Sequence, residues 1–281
     1  MKLLRYGAKG QEKPGLLDRD GSIRSLAGVV DDIAGRALTR EGLDRIRAID
    51  PATLPLVEGR PRLGACVGGI GKFICIGLNY ADHAAESGLQ VPPEPVIFMK
   101  ATSAVCGPDD PVEIPRGSEK TDWEVELAVV IGREAHQVPV EKAWDHVAGL
   151  TVGQDLSWRE VQTRGPAPQF AIGKSYPGFS PLGPVVVTPD ELADKDDLAI
   201  ACTLDGEVLQ AGRTSDLIFS VPELVSRLSE SLTLYPGDVV FTGTPKGVGA
   251  GRTPKRFLVP GTLTSSIEGV GDLTVTLVNG F

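Results

Sequence analysis

Residues 121–132 read TDWEVELAVVIG. In extended chain, successive side chains point to opposite faces. Trp123, Val125, Leu127, Val129 and Ile131 then share one wholly apolar face, and Asp122, Glu124, Glu126, Ala128 and Val130 share the other. A strand with so apolar a face belongs inside a sheet, packed on a core. Its opposite face carries carboxylates at alternate positions, roughly 6.5–7 Å apart from the rise per residue. Like charges that close resist ionisation unless something positive lies between them. Two readings are open: an edge strand with a solvated acidic face, or a divalent cation held by that face.

The rest of the chain points to a strand-rich fold. Gly (34) and Pro (22) are plentiful among 281 residues and aromatics are 5%, which favours many short strands and turns over long helices. Residues 1–24 alternate in short runs and predict a small meander. Residues 27–49 have helical spacing, with Thr39 as an N-cap for TREGLDRIRAI. A Pro-rich connector follows, and a boundary near residue 70 separates a small N-terminal α+β domain (1–70) from a larger one (71–281). Beyond it, KFICIGLNY, VIFMK, LTVGQDLS, PVVVTPDEL, LAIACTLDG, EVLQAG, DVVFTGTP and DLTVTLV read as strands. YADHAAESG reads as a short helix closed by Gly88, AHQVPVEKAWDHVAG contains a helical segment, and SVPELVSRLSESLTL is a helix with Pro222 in its first turn. DG at 205–206 predicts a hairpin turn. Residues 159–184 form a long Gly/Pro-rich loop, and loops that long are usually functional. There is no regular βα alternation and no fixed-period repeat. The expected fold is α+β, a strand-rich mixed β roll or sandwich.

Charge and composition exclude several classes. The net charge is −9 with no basic run or stripe, so nucleic acid and anionic membrane surfaces are poor partners. No apolar run reaches the length of a membrane span, and the opening residues carry no secretory signal. Cys66, Cys75, Cys106 and Cys202 are scattered without a CxxC pair and read as buried small hydrophobes in a reducing compartment. The expected location is the cytoplasm.

Four constellations carry chemistry. Glu124 and Glu126 supply two carboxylates of an oxygen shell suited to Mg²⁺ or Mn²⁺, and Asp155, where a strand breaks into a loop, offers a third. His83 and Glu86, three apart on a short helix, share a face and can activate a water as general base. An exposed helix with an ordinary His–Glu contact is the bland alternative. Lys100, Arg159 and Lys174 lie at strand ends or in the long loop, where an acidic protein acting on an anion needs local positive charge. TGTPKGVGAG (242–251) fails both the Walker and the GxGxxG spacing. A turn whose backbone N–H groups and Thr hydroxyls hold a carboxylate fits it better.

CIGLNYADHAAESG, PVIFMKATSAV, EKTDWEVELAVVIGREA, VGQDLSWREVQ, GKSYPGFSPLGP and FTGTPKGVG occur in this order over about residues 70–250. Together they resemble the fumarylacetoacetate hydrolase family, in particular its bacterial acylpyruvate hydrolase and 2-hydroxyhepta-2,4-diene-1,7-dioate isomerase-like members. The resemblance implies a mixed β-sandwich roll as catalytic domain over 71–281 behind a small leading domain, in a homodimer. It implies that Glu124, Glu126 and Asp155 bind Mg²⁺ or Mn²⁺, and that His83 and Glu86 form a dyad on a lid helix. Lys174 would stabilise developing negative charge, and Lys100, Arg159, Gln162 and Thr244 would contact the substrate, a small anionic 2-oxo acid. The implied activities are C–C bond hydrolysis of a 2,4-dioxo acid, decarboxylation of a 2-oxo dicarboxylate, or isomerisation of an unsaturated 2-hydroxy acid. A non-catalytic, metal-stabilised binding protein is the alternative from another class. One departure stands out: Leu78, in GLNY, replaces an arginine common in acylpyruvase-like members.

Overall fold

A computed structural model describes residues 1–280. The chain opens with a meander, β1 (Lys2–Tyr6), β2 (Lys13–Leu17) and β3 (Ile23–Ser25). Next come β4 (Phe73–Gly77), β5 (Val96–Met99), β6 (Val105–Cys106), β7 (Val112–Ile114) and β8 (Thr121–Asp122). β9 (Val125–Ile131), β10 (Val147–Gln154), β11 (Ser157–Trp158) and β12 (Ser180–Val187) make up the middle of the chain. β13 (Ala199–Leu204), β14 (Glu207–Arg213), β15 (Val239–Phe241), β16 (Gly261–Ile267) and β17 (Gly271–Asn279) end it.

One large mixed sheet runs β3-β2-β1-β12-β10-β9-β15-β4-β5, with β6 beside β12, and a five-stranded sheet runs β14-β13-β16-β17-β7. The leading meander is hydrogen-bonded into the large sheet through β1 and β12. This is the expected strand-rich α+β architecture.

β9 lies well inside the large sheet, between β10 and β15. Trp123, Val125, Leu127, Val129 and Ile131 pack in a core shared with Ile200, Leu263 and Val275 of the second sheet. Ala128 and Val130 point the other way, into a core with Leu38, Leu43, Ile46 and Phe73. Both faces are therefore covered, and the solvated edge-strand reading fails. Burying each large apolar side chain contributes roughly 1.5–3 kcal/mol. Five on one face can hold the strand in place although desolvating a carboxylate costs several kcal/mol.

The helices are short. α1 spans only Arg40–Arg47, with the Thr39 side chain accepting from Gly42 N at 3.2 Å. The helical spacing read over 27–49 thus overreached at its front. Gly28 (φ +86°) and Gly35 (φ +41°) turn the chain there, and only a 3-10 turn at Gly35–Leu38 precedes α1. α2 (Ala81–Glu86) ends at Gly88, φ +68°. The segment after Ala135 is a 3-10 turn, Val140–His146. The long loop is not wholly irregular: it contains two one-turn helices, α3 (Arg159–Gln162) and α4 (Phe170–Gly173), and β12 already begins at Ser180. α5 (Val221–Ser231) buries Val221, Leu224, Val225 and Leu228 as spaced, and Ser220 N donates to Glu223 Oε2 at its start. Asp205 and Gly206 both take positive φ, as a two-residue hairpin turn requires.

Candidate active site

Register assembles the acidic trio. β10 pairs antiparallel with β9, with Gly153 opposite Glu126 and Gln154 opposite Val125. Asp155 follows at once, and its N–H donates to Glu124 O at 2.9 Å. One carboxylate oxygen from each of Glu124, Glu126 and Asp155 lies within 4.8 Å of the others, and all three residues are buried. Pattern alone placed two of these on one strand; the β9–β10 pairing supplies the third.

The cations of the long loop reach the same spot. Lys174, just past α4, donates to Glu124 Oε2 at 2.5 Å and Asp155 Oδ2 at 2.6 Å. Arg159, the first residue of α3, donates to Glu124 Oε1 at 2.6 Å and Gln162 Oε1 at 2.9 Å. Burial raises the Glu124 pKa, but Lys174 and Arg159 outweigh it and bring the group down to about 2. Burial likewise works against the Lys174 charge, yet Asp155 and Glu124 hold its pKa above the ordinary lysine value. Glu126 is different. Its hydrogen-bond donor is Gly243 N at 2.7 Å, and burial with Asp155 and Glu124 nearby pushes its pKa well up.

That asymmetry tests the fit of a cation. The trio offers oxygen donors alone, the set that hard divalent ions such as Mg²⁺ and Mn²⁺ prefer. Four buried carboxylates, Asp122 included, face three cations, Lys100, Arg159 and Lys174. The cluster is short of positive charge, and the shortage falls on Glu126. The residues present fit a divalent cation.

His83 and Glu86 lie on α2, with His83 Nδ1 2.7 Å from Glu86 Oε1. Both line a cavity of about 590 Å³ whose wall includes the trio, Arg159 and Lys174. Gln162 and Thr244 line it too. The Thr244 hydroxyl donates to Val125 O and accepts from Gln210 Nε2, both at 2.8 Å. Lys100 does not reach the cavity wall. Its ammonium stands behind the trio, donating to Asp155 Oδ1 at 2.5 Å and Phe179 O at 2.7 Å. Leu78, at φ +55°, lines the cavity with Phe98 and Phe170, so this part of the wall is apolar.

The sequence left Asn79 unmarked and marked Asp122 without its role. Asn79 is fully buried and fixes the loop before α5: it donates to Phe219 O and Thr242 O and accepts from Phe219 N. Asp122 shares the acidic strand face but accepts from Arg159, Gly249 N and Ala250 N instead of joining the trio. The Gly-rich stretch does hold carboxylates on its N–H groups, and they are the chain's own. Alternation marked Asp122; nothing local marked Asn79, whose partners lie more than a hundred residues away.

Residues 72–278 match the family described as "Fumarylacetoacetate (FAA) hydrolase C-terminal". A relative from Burkholderia ambifaria is 55% identical over 274 residues, 97% of each chain. Among solved structures, a fumarylacetoacetate hydrolase from psychrophilic Exiguobacterium antarcticum is 32% identical with a TM-score of 0.87, covering all of both chains. A 2-hydroxyhepta-2,4-diene-1,7-dioate isomerase from Mycobacterium marinum is 30% identical, TM-score 0.74, covering 99% of this chain and 98% of that one. Maleylpyruvate hydrolase from Sphingobium sp. SYK-6, solved with manganese(II) and pyruvate, is 27% identical with a TM-score of 0.82 over both full chains. No helix among the described residues is long and apolar enough to cross a membrane. Fold, motif order and these likenesses agree: the chain belongs to the fumarylacetoacetate hydrolase family, whose members similar to it include hydrolases and isomerases.

Proposed function

We propose that the protein is a divalent-metal-dependent hydrolase that cleaves a carbon–carbon bond in a 2,4-dioxo acid, giving pyruvate and a carboxylic acid. One observation carries the reading: the oxygen-only trio and the His83–Glu86 pair share one cavity. Glu124, Glu126 and Asp155 would hold Mg²⁺ or Mn²⁺, which supplies Lewis acidity at the 2-oxo acid end and offsets charge developing as pyruvate departs. Likeness to a maleylpyruvate hydrolase solved with manganese(II) and pyruvate supports that choice.

The chain's own residues divide the remaining work. His83, oriented by Glu86, takes a proton from water, whose oxygen attacks the carbonyl carbon at position 4. The bond between carbons 3 and 4 breaks and its electron pair moves onto the pyruvyl fragment as an enolate. Lys174 is placed to offset that charge, and return of the proton to carbon 3 completes pyruvate. Arg159 and Gln162 orient the anionic end; Lys100 holds Asp155 from behind; Thr244 fixes the edge of β9. The substrate is a small anionic 2-oxo acid, not nucleic acid or a membrane. The homodimer implied by the resemblance belongs to the same reading and is checked by sedimentation.

Isomerisation is the second reading, favoured by likeness to the Mycobacterium marinum isomerase. It needs only that the same pair shuttle a proton. Isotopic labelling separates them. With Mn²⁺ and a panel of acylpyruvates in H₂¹⁸O, hydrolysis puts one ¹⁸O into the acid product and releases one pyruvate per turnover. Isomerisation does neither, and absence of pyruvate from every acylpyruvate sinks the hydrolase reading.

A further inference from the structure

The loop after β15 carries a row of amide N–H groups aimed at carboxylates. Gly243 N donates to Glu126 Oε2 at 2.7 Å, and Gly247 N donates to Glu86 Oε2 at 2.9 Å. Gly249 N and Ala250 N grip the two oxygens of Asp122 at 2.6 and 3.0 Å. Asp122 is fully buried and also accepts from Trp123 N and from Arg159 Nε, each at 2.9 Å. It ties the loop to β8 and to the arginine that contacts Glu124. A side chain at Gly249 would strike Arg256 O and Asp122, so the loop can approach Asp122 only with glycine there. At Gly251 a methyl group would lie 2.7 Å from Glu86 Oε2 and 2.8 Å from its Cδ. Glu86 therefore occupies a slot that exists because residue 251 has no side chain.

α2 has six residues. So short a helix is marginal by itself and takes its place from what it docks on. We infer that the 247–251 loop, pinned by Asp122, is the seat that receives the Glu86 carboxylate and sets it against His83, with Asp122 and Gly251 as positioning residues. The inference rests on the role proposed for His83 and Glu86.

Hydrogen–deuterium exchange over residues 81–88 of the full chain reads the seat directly, whatever the reaction. Gly251→Ala puts a methyl group against the Glu86 carboxylate, the nearest group to it. Asp122→Asn keeps the shape but turns an amide donor toward Ala250 N–H or Arg159, donor against donor. Each is expected to speed exchange in 81–88 about tenfold, from loss of the docked state. With Mn²⁺, kcat on an acylpyruvate should fall about 10–100-fold, short of the 10²–10⁴ expected for outright loss of a general base. In Gly251→Ala the Mn²⁺ dissociation constant should stay within about threefold, because the trio and its cations are untouched. In a Glu86→Ala background, Gly251→Ala should add nothing, since the group it strikes is gone. Wild-type exchange in Gly251→Ala overturns the seat, and so does an equal increase with and without Glu86. Wild-type exchange in folded Asp122→Asn overturns the part given to Asp122; if that variant does not fold, the Gly251 and Glu86 cycle decides the seat. A wild-type protein that turns over no acylpyruvate fails the hydrolase reading alone, because the exchange cycle still reports on the seat.

Discussion

Two clusters of paired charge in this protein look alike at first sight. One is the trio with its lysines and arginine. The other joins the leading meander to the loop before β7: Arg62 donates to both Asp110 oxygens at 2.8 Å and to Glu12 at 3.0 Å, while Arg5 donates to Asp32 at 2.7 Å. In the second cluster every carboxylate meets a guanidinium. Burial would raise the Glu12 pKa, but its backbone hydrogen bonds and Arg62 bring it below the ordinary value. In the first cluster Glu126 receives one backbone N–H and goes the other way. The trio is buried, while Arg62 and Asp32 are partly exposed. What separates a charge network that braces the fold from one whose residues fit a divalent cation is whether any carboxylate is left short of positive charge.

The contrast predicts opposite outcomes for mutation. Glu126→Gln should lower metal-dependent turnover by about 10⁴ or more, well beyond the 10–100-fold typical of partners outside the coordination sphere. Without metal it should not lower the midpoint of thermal unfolding, since it removes a repelled charge and keeps an acceptor for Gly243 N. A clear loss of stability would show that Glu126 braces the fold after all. His83→Ala should cost about 10³ in turnover, inside the 10²–10⁴ range for a general base, with Mn²⁺ affinity retained. Unchanged turnover of every 2-oxo acid with metal still bound would leave a binding protein as the better reading. Arg62→Met should do the reverse. It leaves Asp110 with Gly107 N and a distant Lys9 as its partners and should cost about 2–3 kcal/mol in urea unfolding, below the 3–5 of a fully buried pair because Arg62 is partly exposed. Turnover per folded molecule should stay within about twofold.

One side of this contrast was legible in the sequence, for local reasons. The period of two along TDWEVELAVVIG put Glu124 and Glu126 on one face, and the spacing of three in DHAAE joined His83 to Glu86. Both hold because strand and helix geometry act over a few residues. Alternation alone could not distinguish a wet edge from a cation site. The wet edge is ruled out by Leu38, Leu43 and Ile46 covering the far side of the sheet, a packing decision made across the chain. The front of the 27–49 segment misled because hydrophobic spacing is blind to glycines that prefer positive φ. Lys100 was placed by strand-end position and by the family resemblance, neither of which tells a group facing the cavity from one behind it. The bracing cluster left no trace at all: Arg62 and Asp110 are 48 residues apart.

The smallest predicted effect discriminates best between the clusters, because it reads Glu126 without mutation. A carboxylate must be ionised to bind a metal, so a proton on it competes with the ion. Glu124, held at about 2 by Lys174 and Arg159 against the effect of burial, is already ionised across the working range and contributes no pH dependence there. Glu126, with its pKa raised by burial and its acidic neighbours, still holds its proton where an ordinary glutamate has lost it. Below that raised value each rise of one pH unit removes about tenfold of proton competition, so Mn²⁺ affinity should climb about tenfold per unit and then level off. Calorimetry in buffers of different ionisation enthalpy should find close to one proton released per ion on the rising limb. The slope should vanish in Glu126→Gln and persist in Arg62→Met. Affinity that is flat from pH 5 to 8, with no proton released, would mean that Glu126 is as well satisfied as Glu12, and the distinction between the two clusters would be lost.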